Sequence, residues 1–400
     1  MTRHLGLAVA LLAFVAACAA GGLFGDLQSD EGVTVNIAIG HYDPEGLEDG
    51  EPVPIDDLYA RFDGRKLLAP GEVLADLQSE TNPYPPAYYL VLNRWAALAG
   101  TGRVALRLPS VLCGLLTLLG LAALARRLVP HPGADAWIAL LAALSPWLAG
   151  LATFARPYAP PLAIATWATV AALAIADAPA RRAPRVAFVL LSLLGLYTLY
   201  HYGFVLLWQA AFLLAALGSV PAGQRLRALG GHVLMGVVVT AGFLPWLPAL
   251  RGHLELTSSV ASYYLAPALE GGAPSFVHLL TSLLLGDAVR GELRLVLTAV
   301  LGLLAGLAAA ALVRRRRDTR GGDPVGRTLL WTAPLYPLVI LAADLLHGVR
   351  TLLVTKTSFF LFALVLLLLV RGLYGLRPAL RTAGLLIALG LQLMAIVVSV

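Results

Sequence analysis

The pair Asp30-Glu31 follows the first hydrophobic segment of the sequence, within Ser29-Asp30-Glu31-Gly32. A carboxylate can take the proton from a hydroxyl nucleophile. Asp30 is the candidate general base. Glu31 points elsewhere on any regular backbone and is the candidate to orient an acceptor, to pair with Arg156 or to assist a metal. The competing reading makes both of them solvated loop residues beside a membrane. Arg156, in Phe154-Ala155-Arg156-Pro157-Tyr158, is the first candidate for binding an anion, because a guanidinium fork donates two hydrogen bonds to phosphate oxygens. Arg107, Arg350 and Lys356 are weaker candidates for the same phosphate, since a long basic side chain reaching up to the headgroups gives the same signature. Lys356 stands out as one of two lysines, within an otherwise uncharged stretch. His201, between Tyr200 and Tyr202, can contact phosphate or acceptor, or belong to an interfacial aromatic belt. Tyr84, Tyr88, Tyr89 and Tyr158 can line a sugar pocket, with the same belt as the even alternative.

The elements that must position these groups are membrane helices. Of 400 residues 59% are hydrophobic and 13% charged, and the mean hydropathy is +0.80, outside the range of a soluble globular domain. A crossing takes roughly 20 apolar residues. Uncharged runs predict eleven crossings, near 5–24, 105–125, 136–155, 157–176, 186–200, 203–220, 228–250, 294–313, 328–346, 357–374 and 382–400. The uncharged run 186–224 is too long for one crossing and breaks at Tyr200-His201-Tyr202-Gly203. The expected class is an all-α polytopic membrane protein, a single integral membrane domain over 1–400. It has two long extracytoplasmic loops, 25–103 and 251–293, the first carrying juxtamembrane helices at 55–66 and 87–99 and the second a short apolar helix at 275–285. The segment 5–24 reads as an uncleaved helix, with Cys18 as a small packing residue rather than a lipoprotein processing site.

The net charge of +6 does not indicate nucleic acid, because the basic residues are dispersed at the ends of apolar runs. With the N-terminus inside, 17 of 29 basic residues fall on inner ends and 19 of 23 acidic residues outside. Both biases give an N-in, C-out chain with its polar chemistry on the extracytoplasmic side, most simply of a bacterial inner membrane. Ionisable groups are nearly absent from the middle of the runs, which argues against an ion-coupled transporter. The two cysteines, Cys18 and Cys113, show no metal-ligand spacing. The first loop carries 14 acidic residues between Asp26 and Glu80, a solvated face or a set of oxygen ligands for a divalent metal such as calcium or manganese.

Several short motifs recur in a familiar order: Ser29-Asp30-Glu31, Asn82-Pro83-Tyr84-Pro85-Pro86-Ala87-Tyr88-Tyr89-Leu90, Ala105-Leu106-Arg107-Leu108-Pro109-Ser110, Leu144-Ser145-Pro146-Trp147, Ala155-Arg156-Pro157-Tyr158, Tyr200-His201-Tyr202 and Leu244-Pro245-Trp246-Leu247-Pro248. In that order, with Arg350 beyond them, they resemble the membrane glycosyltransferases of the C superfamily, over roughly residues 1–375. The match is to the dolichyl-phosphate-mannose protein mannosyltransferase-like branch, which includes the lipid A aminoarabinose and galacturonic acid transferases. The resemblance implies transfer of a sugar from a polyprenyl phosphate to a lipid, glycan or protein acceptor outside the membrane, usually with inversion. Two positions depart from it: relatives often carry an acid at the place of Phe154 and His or Lys at the place of Tyr84. A non-catalytic relative that binds a lipid-linked sugar or serves in a membrane assembly is the alternative, with a lipid or sugar transporter behind it.

Overall fold

The computed structural model describes residues 3–40, 67–79, 82–129, 131–260, 272–286, 289–318, 324–347 and 351–399. The expected helical piece at 55–66, nine of the 14 acidic residues of the first loop and Arg350 lie outside the described residues.

Among the described residues every regular element is a helix. Helix α1 (Arg3–Cys18) runs into a π-helical turn, Ala19–Leu23, and three short helices follow: α2 (Ser29–Ile39), α3 (Pro70–Gln78) and α4 (Ala87–Ala99). Then come α5 (Arg103–Leu128), α6 (Ala134–Ala143), α7 (Pro146–Ala152), α8 (Ala159–Asp177), α9 (Arg182–Leu196), α10 (Tyr202–Ala216), α11 (Ala222–Phe243) and α12 (Leu247–Val260). The last third holds α13 (Gly272–Leu285), α14 (Gly291–Asp318), α15 (Pro324–Thr332), α16 (Leu335–His347), α17 (Phe360–Leu373) and α18 (Pro378–Ser399).

Seven of the described helical segments are long and apolar enough to cross a bilayer, eight if the bent pair α6–α7 counts as one crossing. Each of the eleven runs expected from the sequence has a helical counterpart. The shortfall has local causes: α9, α16 and α17 are short, and the run at 328–346 is broken between α15 and α16, at Ala333-Pro334. The predicted break before Gly203 is present, since α9 ends at Leu196 and α10 starts at Tyr202.

Pro146 explains the bend between α6 and α7. Proline has no N–H to continue the ladder and pushes the residue before it out of helical geometry. Ser145 is accordingly extended (ψ 118°), and its hydroxyl accepts from the Leu148 N–H at 3.4 Å to start the next helix. The two helices meet at 66°. The bundle core is built from α1 against α6, α5 against α8 and α14 against α17.

A second, smaller core forms where α2, α3 and α4 pack together and onto the bundle. Val35, Ile39, Val73, Leu77, Tyr89 and Leu92 interdigitate there, with Leu106, Ala155 and Trp246 from the bundle. Asn93, fully buried on α4, ties the layers by donating to the carbonyls of Ala38 (2.8 Å) and Leu68 (3.0 Å). The Ala87 N–H donates to Tyr197 O at 2.8 Å, and the Trp95 indole to Ala105 O at 2.7 Å. These bonds satisfy backbone groups at element ends, which carry a desolvation cost if left unpaired. The cap therefore sits in a fixed register on one end of the bundle.

Helices α14 and α17 approach closely at Gly372, where an added Cβ would meet Ala308 Cβ at 2.5 Å and its backbone carbonyl oxygen at 2.6 Å. Gly372→Val should therefore lower the thermal midpoint of the detergent-solubilised protein, at an overpacking cost of about 1–3 kcal/mol. Gly306→Ala on α14, with nothing within 4 Å of the new Cβ, should leave the midpoint unchanged or raise it. Equal losses for the two variants in a melting experiment would refute this packing.

Candidate active site

The site begins at the N-terminus of α2. Asp30 and Glu31 lie in its first turn, where carboxylates complement the exposed N–H groups. Glu31 reaches back to accept from the Gln28 N–H at 2.9 Å, closing the turn. The side chains then diverge, Asp30 to the surface and Glu31 into the protein.

Glu31 is fully buried and meets Arg107 of α5 in a fork-to-fork pair: Nε to Oε1 at 2.9 Å and Nη2 to Oε2 at 2.6 Å. Its Oε1 also accepts the Ala155 N–H at 2.8 Å. Arg107 directs its remaining donors to backbone carbonyls, with Nη1 to Gly22 (2.8 Å), Leu23 (3.3 Å) and Gly25 (2.7 Å), and Nη2 to Asp26 (2.9 Å). Gly22 presents its carbonyl from φ 118°, a conformation that favours glycine. The sequence reading put Arg107 at a donor phosphate and Glu31 beside Arg156, an acceptor or a metal. The geometry assigns both of them a different role, because they satisfy each other and Arg107 has no N–H left for a ligand.

Arg156 lies in the tight turn between α7 and α8. Its Nη1 donates to Thr34 Oγ1 at 3.1 Å, and its guanidinium carbon stands 5.2 Å from the Tyr84 ring centroid and 5.6 Å from that of Tyr158. Its Nη2 lies 3.5 Å from the Tyr84 hydroxyl and 3.4 Å from that of Tyr158. The buried Nε has no partner. Thr34 follows Asp30 by four residues in α2, so the two share a face roughly 5–6 Å apart at Cβ. Acid and guanidinium therefore converge on one side of one helix.

Lys356 completes the group, with Nζ 3.5 Å from Asp30 Oδ2 and both side chains partly exposed. It stands 5.0 Å from the Phe154 ring centroid and 5.4 Å from that of Tyr158, which are themselves stacked at 6.3 Å. The two positions that depart from the family pattern, Tyr84 and Phe154, thus each hold a cation against an aromatic face. Lys356 and Tyr158 also line a cavity of about 310 Å³, together with the polar Gln28 and Thr355 and with Trp147, Ala17, Leu151 and Ile396.

The other sequence candidates fall elsewhere. Tyr88 and Tyr89 are buried in the cap core, Tyr88 3.5 Å from Ser110 Oγ, so neither presents a ring to a ligand. His201 sits in the turn before α10, near Phe204. The residue is half-buried, but its Nδ1 is sealed from solvent without a partner, and burial pushes its pKa down to about 4. It is neutral at pH 7 and offers no charge to a phosphate. Arg350 is outside the described residues. Among those described, no group of three or more His, Cys, Asp or Glu side chains is placed to hold a metal. Sequence reasoning missed Thr34, Gln28 and Thr355. Reading α2 as a helix would have found Thr34, one turn after Asp30.

Removing one partner of the Glu31–Arg107 pair strands a buried charge, at a cost of about 3–5 kcal/mol. Glu31→Gln and Arg107→Met should each lower the thermal midpoint markedly, and the double variant should lose less than the two single losses combined. Additive losses in those melts would show that the two side chains are not coupled.

Residues 83–248 match the family model described as dolichyl-phosphate-mannose-protein mannosyltransferase. The sequence matches no curated protein. Among solved structures the chain resembles ArnT from Cupriavidus metallidurans in the apo state, with a TM-score of 0.50 and 15% identity over 92% of this chain. It spans 58% of the length of that protein. The matched region takes in the Tyr84 and Arg156 turns and ends after Trp246, so it contains α4 and part of the bundle surface under the cap, but not α2, α3 or Lys356. Residues 83–248, about two fifths of the chain, are thus similar to that mannosyltransferase family, and the fold is similar to that of ArnT.

Proposed function

We propose that the protein transfers a sugar from a polyprenyl-phosphate donor to a lipid, glycan or protein acceptor at the extracytoplasmic face of the membrane, with inversion at the anomeric carbon. One observation carries the reading: an exposed carboxylate, Asp30, shares a helix face with the residue that fixes Arg156, beside a cavity whose lining includes both polar and apolar side chains. A lipid phosphate is likewise of both kinds, an anion joined to a hydrocarbon chain.

In this reading Asp30 accepts the proton of the acceptor hydroxyl as its oxygen attacks the anomeric carbon. The bond to the phosphate oxygen breaks on the opposite face, and the electron pair leaves with the polyprenyl phosphate. Arg156, held by Thr34 and flanked by Tyr84 and Tyr158, and Lys356 stabilise the charge that develops on that oxygen. Donors already ordered by the protein cost no reorganisation at that moment. The Tyr84 and Tyr158 rings offer apolar faces to the sugar. The inverting course follows from a base and a leaving group on opposite sides of the ring.

The N-in, C-out orientation from the arginine distribution puts this end of the bundle outside the cytoplasm. An inner bacterial membrane fits a polyprenyl-phosphate donor presented at that face.

Asp30→Asn should abolish turnover of a polyprenyl-phosphate sugar while leaving its binding intact, measured by product formation and by equilibrium binding in nanodiscs. Retained turnover would remove Asp30 as the base. Arg156→Ala removes a charge-assisted contact of about 1.5–3 kcal/mol and should weaken binding of a polyprenyl phosphate about 10- to 100-fold. Unchanged affinity in that titration would reject the phosphate role.

A further inference from the structure

The candidate base already has a cationic partner. Lys356 Nζ lies 3.5 Å from Asp30 Oδ2, and the same ammonium lines the cavity assigned above to the donor. One cation therefore faces two anions, the carboxylate present now and the phosphate that would enter the cavity. The geometry points to Lys356 as the residue that couples donor binding to release of the base: an incoming phosphate diester draws the ammonium away from Asp30 and frees the carboxylate for the acceptor hydroxyl. This inference rests on the transferase reading and adds an order to it, donor before acceptor.

The surroundings of Lys356 suit a side chain that moves on a fixed backbone. The turn that carries it is tightly bonded. Leu352 N–H donates to the buried Asp344 Oδ2 at 2.7 Å, Thr357 Oγ1 to Val354 O at 2.9 Å, and Ser358 Oγ to Val354 O at 3.0 Å. The side chain itself is 43% exposed and its partner Asp30 53%, so the pair is of the weak, solvent-screened kind worth about 0–1 kcal/mol. A phosphate held between Lys356 and Arg156 at a partly dry site has more to offer the ammonium than that. The path of exchange is also built in. The Phe154 and Tyr158 rings lie together under Nζ, so the ammonium keeps an aromatic face beneath it as it moves. Arg156 has a different anchor, Thr34, and stays in place.

The balance of charge gives the mechanism its direction. Before binding, Asp30 and Lys356 neutralise each other. After binding, Lys356 and Arg156 face the phosphate, and Asp30 stands unpaired and ionised next to the position of the acceptor. A base tied to lysine in the empty site would not promote attack of stray hydroxyls, water included, before a donor is seated.

The test reads the ion pair directly and does not depend on turnover. A water-soluble carbodiimide joins a carboxylate to an amine in contact with it as an amide, with loss of water, and mass spectrometry then counts Asp30–Lys356 linked peptides. With the full-length protein in phosphatidylcholine nanodiscs, the link should form in the absence of donor. Undecaprenyl phosphate at ten times its Kd leaves about a tenth of the sites empty, so the yield should fall about tenfold. Undecaprenol, which has the chain without the anion, should leave the yield unchanged. Inorganic phosphate forms a separate arm: a fall there shows that the headgroup alone suffices, no fall shows that the chain is needed, and either result agrees with the coupling provided the lipid phosphate acts. A constant yield while native mass spectrometry counts bound undecaprenyl phosphate would overturn the coupling and leave the transferase reading standing. Suppression by undecaprenol to the same extent, or no link in the empty protein, would overturn it too. Failure of the wild-type protein to bind undecaprenyl phosphate at all would remove the transferase reading itself, and the coupling with it.

Discussion

The buried ion pair between Glu31 and Arg107 is the constraint on which the rest of the site depends. A charge taken out of water is tolerated only when nearly every lone pair and N–H around it is satisfied. Here that demand fixes four separate stretches of chain: the start of α2 through Glu31 and Gln28, the Gly22–Asp26 turn through its carbonyls, α5 through Arg107, and the turn before α8 through the Ala155 N–H. Asp30 and Arg156 are the immediate chain neighbours of Glu31 and Ala155. The residues proposed to do chemistry are thus each one step removed from a fixed electrostatic lock. An exposed Asp and a guanidinium on aromatic rings can then present a defined geometry through that lock.

The cap adds a second kind of constraint. Helices α2 to α4 are too short to be stable alone in water. They gain order from one another, from Asn93 bridging two carbonyls and from the bundle surface at Leu106, Ala155 and Trp246. The proline bend at Pro146 has a matching role from the other side, because it turns the chain so that the residues after α7 arrive under α2. A membrane bundle and a surface cap are in this way made into one site.

Much of this was legible in the sequence. The apolar runs located every bundle helix, since a bilayer imposes a length and a composition that no other environment does. The order of short motifs pointed to the family whose model matches residues 83–248, and Asp30, Arg156, Lys356, Tyr84 and Tyr158 lie close together. What could not be read was the division of labour within adjacent pairs. Nothing in the types of Asp30 and Glu31 says which turns inward, and Arg107 looks like any interfacial arginine until the carbonyls of a distant glycine turn are folded around it. Tyr88 and Tyr89 carried the same ambiguity, because an aromatic residue at a membrane surface serves a pocket and a core equally well. The broken crossing was missed for a related reason: hydropathy counts apolar residues, whereas Pro334, in the gap between α15 and α16, interrupts the helix.

The sequence distance across the central lock has a consequence for how the protein is made. Glu31 is separated from Arg107 by 76 residues and from Ala155 by 124. At a synthesis rate of about 5–20 residues per second, the acid leaves the ribosome roughly 4 to 15 seconds before the arginine that neutralises it. During that interval the segment after α1 has to wait in the watery headgroup region, since hydrocarbon would not accept the bare carboxylate. Biogenesis is therefore ordered: the cap can close on the bundle only after the fifth helix has been threaded into the lipid.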